Sequence, residues 1–178
     1  MGVFCLWEIN ITFNGGLNEK NCIHTHDMVS IAVCILRRNL RSLCRCIGRH
    51  KESAIALAKE TDKHVFVKVG GNWCGWCKLY AKFTKADEDI MRVMKDEYVF
   101  ILVNWSTENK NPDAMSYLRN PQRFGFPVFV IIDGDGNVLH IQDSALLEEG
   151  KGYSKNHVMR FLSVWTADAV DPSRVSAE

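Results

Sequence analysis

No stretch of eighteen or more apolar residues occurs in this chain of 178 residues, which argues against a membrane-spanning helix. The longest apolar run, Met28 to Leu36, is nine residues long, and Arg37, Arg38, Arg41 and Arg45 come after it. A secretory signal carries its positive charges in front of the apolar stretch, so the order here argues against one. Cys34 follows Val33, not the small residue of a lipoprotein cleavage site. Charge of one sign is also lacking. The formal net charge is +1: residues 1 to 50 carry 6 Lys/Arg against 3 Asp/Glu, and residues 51 to 178 carry 16 against 18. Such a body has no positive stripe of the kind that nucleic acid requires. No Ser/His/Asp spacing and no phosphate-binding glycine loop is readable. The seven cysteines are odd in number, and Cys5, Cys22, Cys34, Cys44 and Cys46 outline no disulfide framework. Cysteine usage leaves the redox compartment open.

What is present fits a packed globular domain. Hydrophobic residues make up 47% and charged residues 24% of the chain, and the length suits one domain with appendages. Residues 1 to 48 keep no sustained period of 2 or 3.6, with a turn at Gly15-Gly16 and Asn18, and form a segment of uncertain order. Met28 is a candidate for a later translation start. Residues 49 to 167 read as the domain, and 168 to 178 as a polar tail expected to fray.

Within the domain, Ala54, Leu57 and Ala58 at helical spacing predict a helix over residues 51 to 61. His64 to Val69, rich in β-branched and aromatic residues and followed by Gly70-Gly71-Asn72, reads as a strand ending in a tight bend. A helix should open at the next cysteines, and another should cover Ala86 to Glu97. Tyr98 to Val103 reads as a strand buried on both faces. Asn111-Pro112-Asp113 announces a short helix over Ala114 to Arg119. Pro127 to Ile132 and Val138 to Gln142 are strands joined by the hairpin turn Asp133-Gly134-Asp135-Gly136-Asn137. A last helix spans Lys155 to Trp165. This alternation implies an α/β fold: a central mixed sheet with helices on both faces.

The chemistry is carried by Trp73-Cys74-Gly75-Trp76-Cys77-Lys78. A C-x-x-C pair between a strand and a helix reads as redox-active. Cys74 would sit at a helix N-terminus, where unpaired amides and the dipole favour thiolate over thiol. That placement can lower a thiol pKa from about 8.5 to roughly 3.5 to 7.5. Cys77, nearly one turn on, would lie deeper, within reach of a mixed disulfide formed at Cys74.

The Gly71-Asn72-Trp73-Cys74-Gly75-Trp76-Cys77-Lys78 loop and the segment Asn120 to Phe129, with Phe124-Gly125-Phe126-Pro127 at its centre, resemble the thioredoxin superfamily, in particular its bacterial thioredoxin-like proteins. The likeness covers about residues 50 to 166. It implies a thioredoxin-like fold and a thiol-disulfide oxidoreductase, with Cys74 the exposed nucleophile and Cys77 the resolving thiol. It also implies a cis bond before Pro127. Phe126 would offer its backbone to an extended substrate segment, and Trp73, Gly75 and Trp76 would complete the substrate surface. The couple would need no cofactor beyond the Cys74–Cys77 disulfide. Its partners would be protein disulfides or dithiols and a separate electron donor or acceptor, without nucleic acid or membrane insertion. Related proteins are often exported, so the likeness suggests an extracytoplasmic place, with the cytoplasm as the alternative given the missing signal.

Two departures stand out. Lys68 occupies the place, six residues before Cys74, where ordinary thioredoxins have a buried acid. Charged, it would favour thiolate; desolvated and neutral, it could accept a proton; alternatively it reaches to solvent. Lys78 is a second candidate for tuning the thiols. Gly75-Trp76 replaces the usual Gly-Pro, which changes the stiffness of the first helical turn.

Two other readings compete. One is a thioredoxin-fold binding module with little turnover, suited to the aromatic surface. The other is a structural zinc site drawing on Cys44 and Cys46 with Cys74 and Cys77, or on Cys22, His24 and His26. His140, Tyr153 and His157 read as packing or surface groups, and Glu148-Glu149 with Gly150-Lys151-Gly152 as a solvated loop that also resembles the bacterial proteins.

Overall fold

The computed structural model describes residues 51–175. The expectations for the first fifty residues, including Cys22, His24, His26, Cys44 and Cys46, lie outside the described residues.

Residues 51–60 form α1. Ala54 and Ala58 turn into the core, while Leu57 is largely exposed. Two alanines let the helix lie close to the sheet, and Ile55 fills the flank that the spacing had offered to Leu57. The order continues as β1 (His64–Gly70), α2 (Gly75–Ala86), α3 (Glu88–Glu97), β2 (Tyr98–Asn104) and α4 (Pro112–Tyr117). After a 3-10 turn at Pro121–Phe124 come β3 (Val128–Ile132), β4 (Val138–Asp143) and a second 3-10 turn at Ser144–Leu147. A small hairpin, β5 (Glu148–Glu149) and β6 (Gly152–Tyr153), leads to α5 (Lys155–Val164).

The four-stranded sheet has the order β2-β1-β3-β4. β1 runs parallel to β2, with Val67 opposite Ile101, and antiparallel to β3, with Val67 opposite Val130. β4 closes the other side as the hairpin partner of β3. Alternation along β1 builds a core on each face, since successive side chains point to opposite sides. Val65, Val67 and Val69 pack with Val128, Val130 and Ile132 against α1 and α4. Phe66 faces the other way, into a cluster with Phe129 and Ile131 under α2, α3 and α5. The fold is the expected mixed α/β sheet covered on both faces.

Four local readings change. β2 is not buried on both faces: Tyr98 is buried, but Val99 to Val103 are half-buried, because β2 stands at the edge of the described sheet. α4 begins two residues early, with Pro112 in its first turn, and ends before Arg119 and Asn120, whose φ values are 61° and 53°. The loop at 148–153 is a paired hairpin, Glu148 opposite Tyr153, with Tyr153 buried. The tail forms two short helices, Ala167–Val170 and Pro172–Val175, where fraying was expected. Thr166 caps the first of them by accepting the Ala169 amide at 3.1 Å. The hairpin turn at 133–137 is as read: the Asp133 carboxylate accepts the amides of Asp135 at 2.9 Å and Asn137 at 2.8 Å, and Gly136 takes φ 87°.

Candidate active site

β1 delivers the chain to the site. Gly70 ends the strand, a bend through Gly71-Asn72-Trp73 follows, and Cys74 becomes the N-cap of α2. Its extended backbone (φ −83°, ψ 114°) lets the sulfur turn back over the first turn, where it accepts the Cys77 amide at 3.1 Å. The amide of Lys78 bonds the Cys74 carbonyl at 3.2 Å. An orphan donor of the helix end is thus aimed at the Cys74 sulfur, the arrangement that favours a negative charge there. Cys74 and Cys77 are joined in a disulfide, with their Cα atoms 5.2 Å apart.

Both cysteines are buried to the same degree, each only 5% exposed. The exposed nucleophile foreseen at position 74 is therefore buried in the disulfide state. Two groups of rings flank it. Trp73, 54% exposed, meets Trp105 and Phe126 edge-on at 6.0 and 5.4 Å and donates its indole N–H to the Trp105 carbonyl at 2.8 Å. Trp76, 36% exposed, stands edge-on to Tyr153 at 5.6 Å, and the Tyr153 hydroxyl lies 3.4 Å from the Trp76 carbonyl oxygen. Gly75 is exposed between them.

The Phe126–Pro127 peptide bond is cis. Gly70 brings this loop and the cysteine pair together. A Cβ built on Gly70 would stand 2.5 Å from the Cys77 sulfur and 4.0 Å from the Pro127 Cα. Only a residue without a side chain fits there.

Lys68 does not simply reach solvent. It is half-buried, its Nζ donates to the Cys77 carbonyl at 3.2 Å, and it lies 5.7 Å from the centre of the Tyr80 ring. Lys78 is exposed on the first turn of α2. Lys68, Lys78, Cys77 and Tyr80 share the lining of a cleft of about 240 Å³ beside the pair. Burial pushes the Tyr80 phenol far above its usual pKa, and its hydroxyl has no hydrogen-bond partner among the described residues.

Sequence reasoning missed Trp105, Tyr153 and Gly70. Trp105 follows the β2 run by one residue and is brought under Trp73 by the bond from its amide to the Gly70 carbonyl at 2.8 Å. Tyr153 comes from a hairpin that no local signal announced. His140 stacks on Trp165 with centroids 4.4 Å apart, and His157 is exposed on α5. Among the described residues no three His, Cys, Asp or Glu side chains gather as a metal site, and no helix is long and apolar enough to cross a membrane.

The fold and the bonded cysteines at a helix start define a thioredoxin-fold protein with a C-x-x-C disulfide. Comparison with known proteins agrees: the sequence pattern of a family described as thioredoxin-like matches residues 49–134. Over that stretch, just under half of its length, the chain is similar to the thioredoxin superfamily. It is 27% identical over 82 residues to the thiol:disulfide interchange protein DsbD of Yersinia enterocolitica serotype O:8 / biotype 1B, a match covering 46% of this chain and 14% of that protein. The matched region is thus a small part of that relative's length. Among solved structures, a disulphide isomerase from Xylella fastidiosa Temecula1 superposes with a TM-score of 0.57 at 19% identity, covering 65% of this chain and 87% of the other. At that identity the likeness concerns the fold.

Proposed function

We propose that the chain is a thiol-disulfide oxidoreductase that exchanges disulfides with protein substrates through Cys74 and Cys77. The observation that carries this reading is the disulfide itself, placed at the N-cap of α2 beside the cis Phe126–Pro127 step. In the reductive direction the Cys74 thiolate attacks a substrate disulfide. One substrate sulfur leaves as a thiolate, and the other becomes bonded to Cys74. Cys77 then attacks Cys74, releases the second substrate sulfur with its bonding electrons, and restores the intramolecular disulfide. The substrate gains two electrons and the pair loses two. The reverse sequence oxidises a substrate dithiol.

The reading gives Phe126 the task of pairing its backbone with an extended substrate segment, and gives Trp73 and Trp76 the apolar contacts on either side. The sulfur couple carries the electrons without a prosthetic group, so a separate protein must recharge it. The names of the DsbD relative and the disulphide isomerase neighbour lend this reading support.

The test is capture. Cys77→Ser removes the resolving thiol and should leave a substrate protein bonded through Cys74, visible as a reductant-sensitive adduct and mapped to Cys74 by peptide mass spectrometry. A second reading, a docking module with little turnover, is favoured by the exposed rings of Trp73 and Trp76. It gains if Cys77→Ser yields no adduct at Cys74 and the reduced chain does not cut a model protein disulfide.

A further inference from the structure

β1 presents Phe66, Lys68 and Gly70 on the face beneath α2, one pleat apart. Gly70 receives the Cys77 sulfur, and Lys68, the next residue back on that face, reaches the Cys77 carbonyl at 3.2 Å while lying over the Tyr80 ring at 5.7 Å. A carbonyl oxygen and a ring face both attract a cation, and an ammonium has three N–H donors and no lone pair. Both contacts therefore suit the charged form of Lys68. They place its charge against the first turns of α2, at the resolving cysteine. The charged groups that line the cleft among the described residues are Lys68 from β1 and Lys78 and Lys85 from α2; α3 and β2 add only uncharged side chains, and the Tyr80 phenol stays neutral. A buried thiol in apolar surroundings ionises less readily than a free one, whereas a nearby cation reverses this, the more so where the surroundings are dry.

We propose that Lys68 is a positioning residue that supplies the charge stabilising the Cys77 thiolate, so that this fold speeds resolution with a cation and not with a proton-accepting carboxylate. The inference rests on the redox reading above. In the step it concerns, the Cys77 thiol loses its proton to solvent through the cleft. The thiolate attacks the Cys74 sulfur of the mixed disulfide, the Cys74–Cys77 bond forms, and the bond from Cys74 to the substrate sulfur breaks, the pair of electrons leaving with the substrate thiolate. Lys68 stays protonated throughout.

The experiment uses the full chain. In Cys74→Ser, alkylation of Cys77 by iodoacetamide is followed across pH by peptide mass spectrometry, which separates Cys77 from the other thiols. The midpoint should lie below the ordinary thiol value of about 8.5. In Cys74→Ser with Lys68→Met it should rise by about one unit, a roughly tenfold loss of thiolate below both midpoints, and Lys68→Arg should bring it back. In the chain with both cysteines, Lys68→Met should slow resolution of a glutathione mixed disulfide at Cys74 by about threefold at neutral pH, part of the lost thiolate being offset by the higher nucleophilicity of a more basic thiol. A Cys77 midpoint above 8.5 with Lys68 in place overturns the proposal, and this needs no Lys68 variant to fold. So does an unchanged midpoint in Lys68→Met. If the chain with both cysteines never resolves the mixed disulfide, the redox reading itself fails, a separate outcome.

Discussion

At the scale of single residues the site is governed by space as much as by charge. Gly70 has an ordinary strand conformation, so its lack of a side chain matters only because the Cys77 sulfur stands where a Cβ would go. Gly75, one residue after Cys74, meets nothing within 4 Å. The two glycines should therefore respond in opposite ways. Gly70→Ala forces the sulfur or the strand to move and should cost about 1–3 kcal/mol, as overpacking does. Gly75→Ala should be neutral or stabilise by about 0.5–1 kcal/mol, through the helix preference of alanine. Urea unfolding of the oxidised proteins measures both, and equal effects would refute the close approach at Gly70. Nothing in the local sequence separates these two glycines, since the contact that distinguishes them comes from the helix folded over the strand.

At the scale of elements, a single residue joins the two helices over the site face. Asp87 ends α2, its amide bonding the Thr84 carbonyl at 3.3 Å, and caps α3, its carboxylate accepting the amides of Asp89 and Ile90 at 3.1 and 3.2 Å. Lys155 at the start of α5 closes on the same carboxylate at 2.8 Å. The hydrogen bond from Lys155, helped by the Ile90 and Asp89 amides, holds the Asp87 carboxyl below its usual pKa. A carboxylate with a lowered folded pKa contributes stability above its unfolded value of about 4, and the contribution is lost as pH falls through the lowered value. Asp87→Ala should therefore lower Tm by a few degrees at pH 7, and the difference from the parent should narrow as pH falls through the lowered carboxyl value. Asp87→Asn, which keeps a good cap and loses the ion pair, should fall between them. Thermal melts followed by circular dichroism over pH 2 to 8 decide; a gap that stays constant with pH would count against a charged cap.

For the molecule as a whole, stability is concentrated where the sheet meets the helices that hold the site. Phe66 touches the rings of Tyr98, Phe100, Phe129 and Phe161 at centroid distances of 5.7, 5.5, 5.4 and 5.8 Å. These rings come from β2, β3 and α5, so one side chain of β1 ties the edge of the sheet, its centre and the last helix together. Phe66→Ala should cost about 3–5 kcal/mol, a large share of the 5–15 kcal/mol typical of a domain's total. The same cluster includes Tyr80, two turns into α2, so loss of Phe66 should also loosen the helix that carries the cysteines. Denaturant midpoints give the first quantity. A loss below about 1 kcal/mol would show that the core refills the space.

Much of this is legible in the sequence alone. The run His64 to Val69, the Cys74-Gly75-Trp76-Cys77 step and the Asp133 to Asn137 turn each depend on neighbours in the chain, and local chemistry decides them: β-branched side chains suit a pleated strand, an aspartate and two glycines suit a tight reversal. The cis bond before Pro127 came from resemblance, and the structure has it. The half-buried state of β2 depends on which strand stands at the edge, which no residue in Tyr98 to Asn104 encodes. Leu57 faces outward for the same kind of reason, because the distance between α1 and the sheet was set by Ala54 and Ala58. Trp105 and Tyr153 reach the site from elements 28 and 76 residues beyond Cys77, and Lys68 could be ranked as a tuning candidate but not placed. By itself, then, the sequence determined the elements, the redox-type pair and the alternating faces of β1, since these follow from bonding and sterics between near neighbours. Tertiary structure alone decided which rings gather beside Trp73 and Trp76, which glycine has no room for a methyl group and where the Lys68 charge lies, because each depends on the distance between surfaces that meet only after the chain has folded.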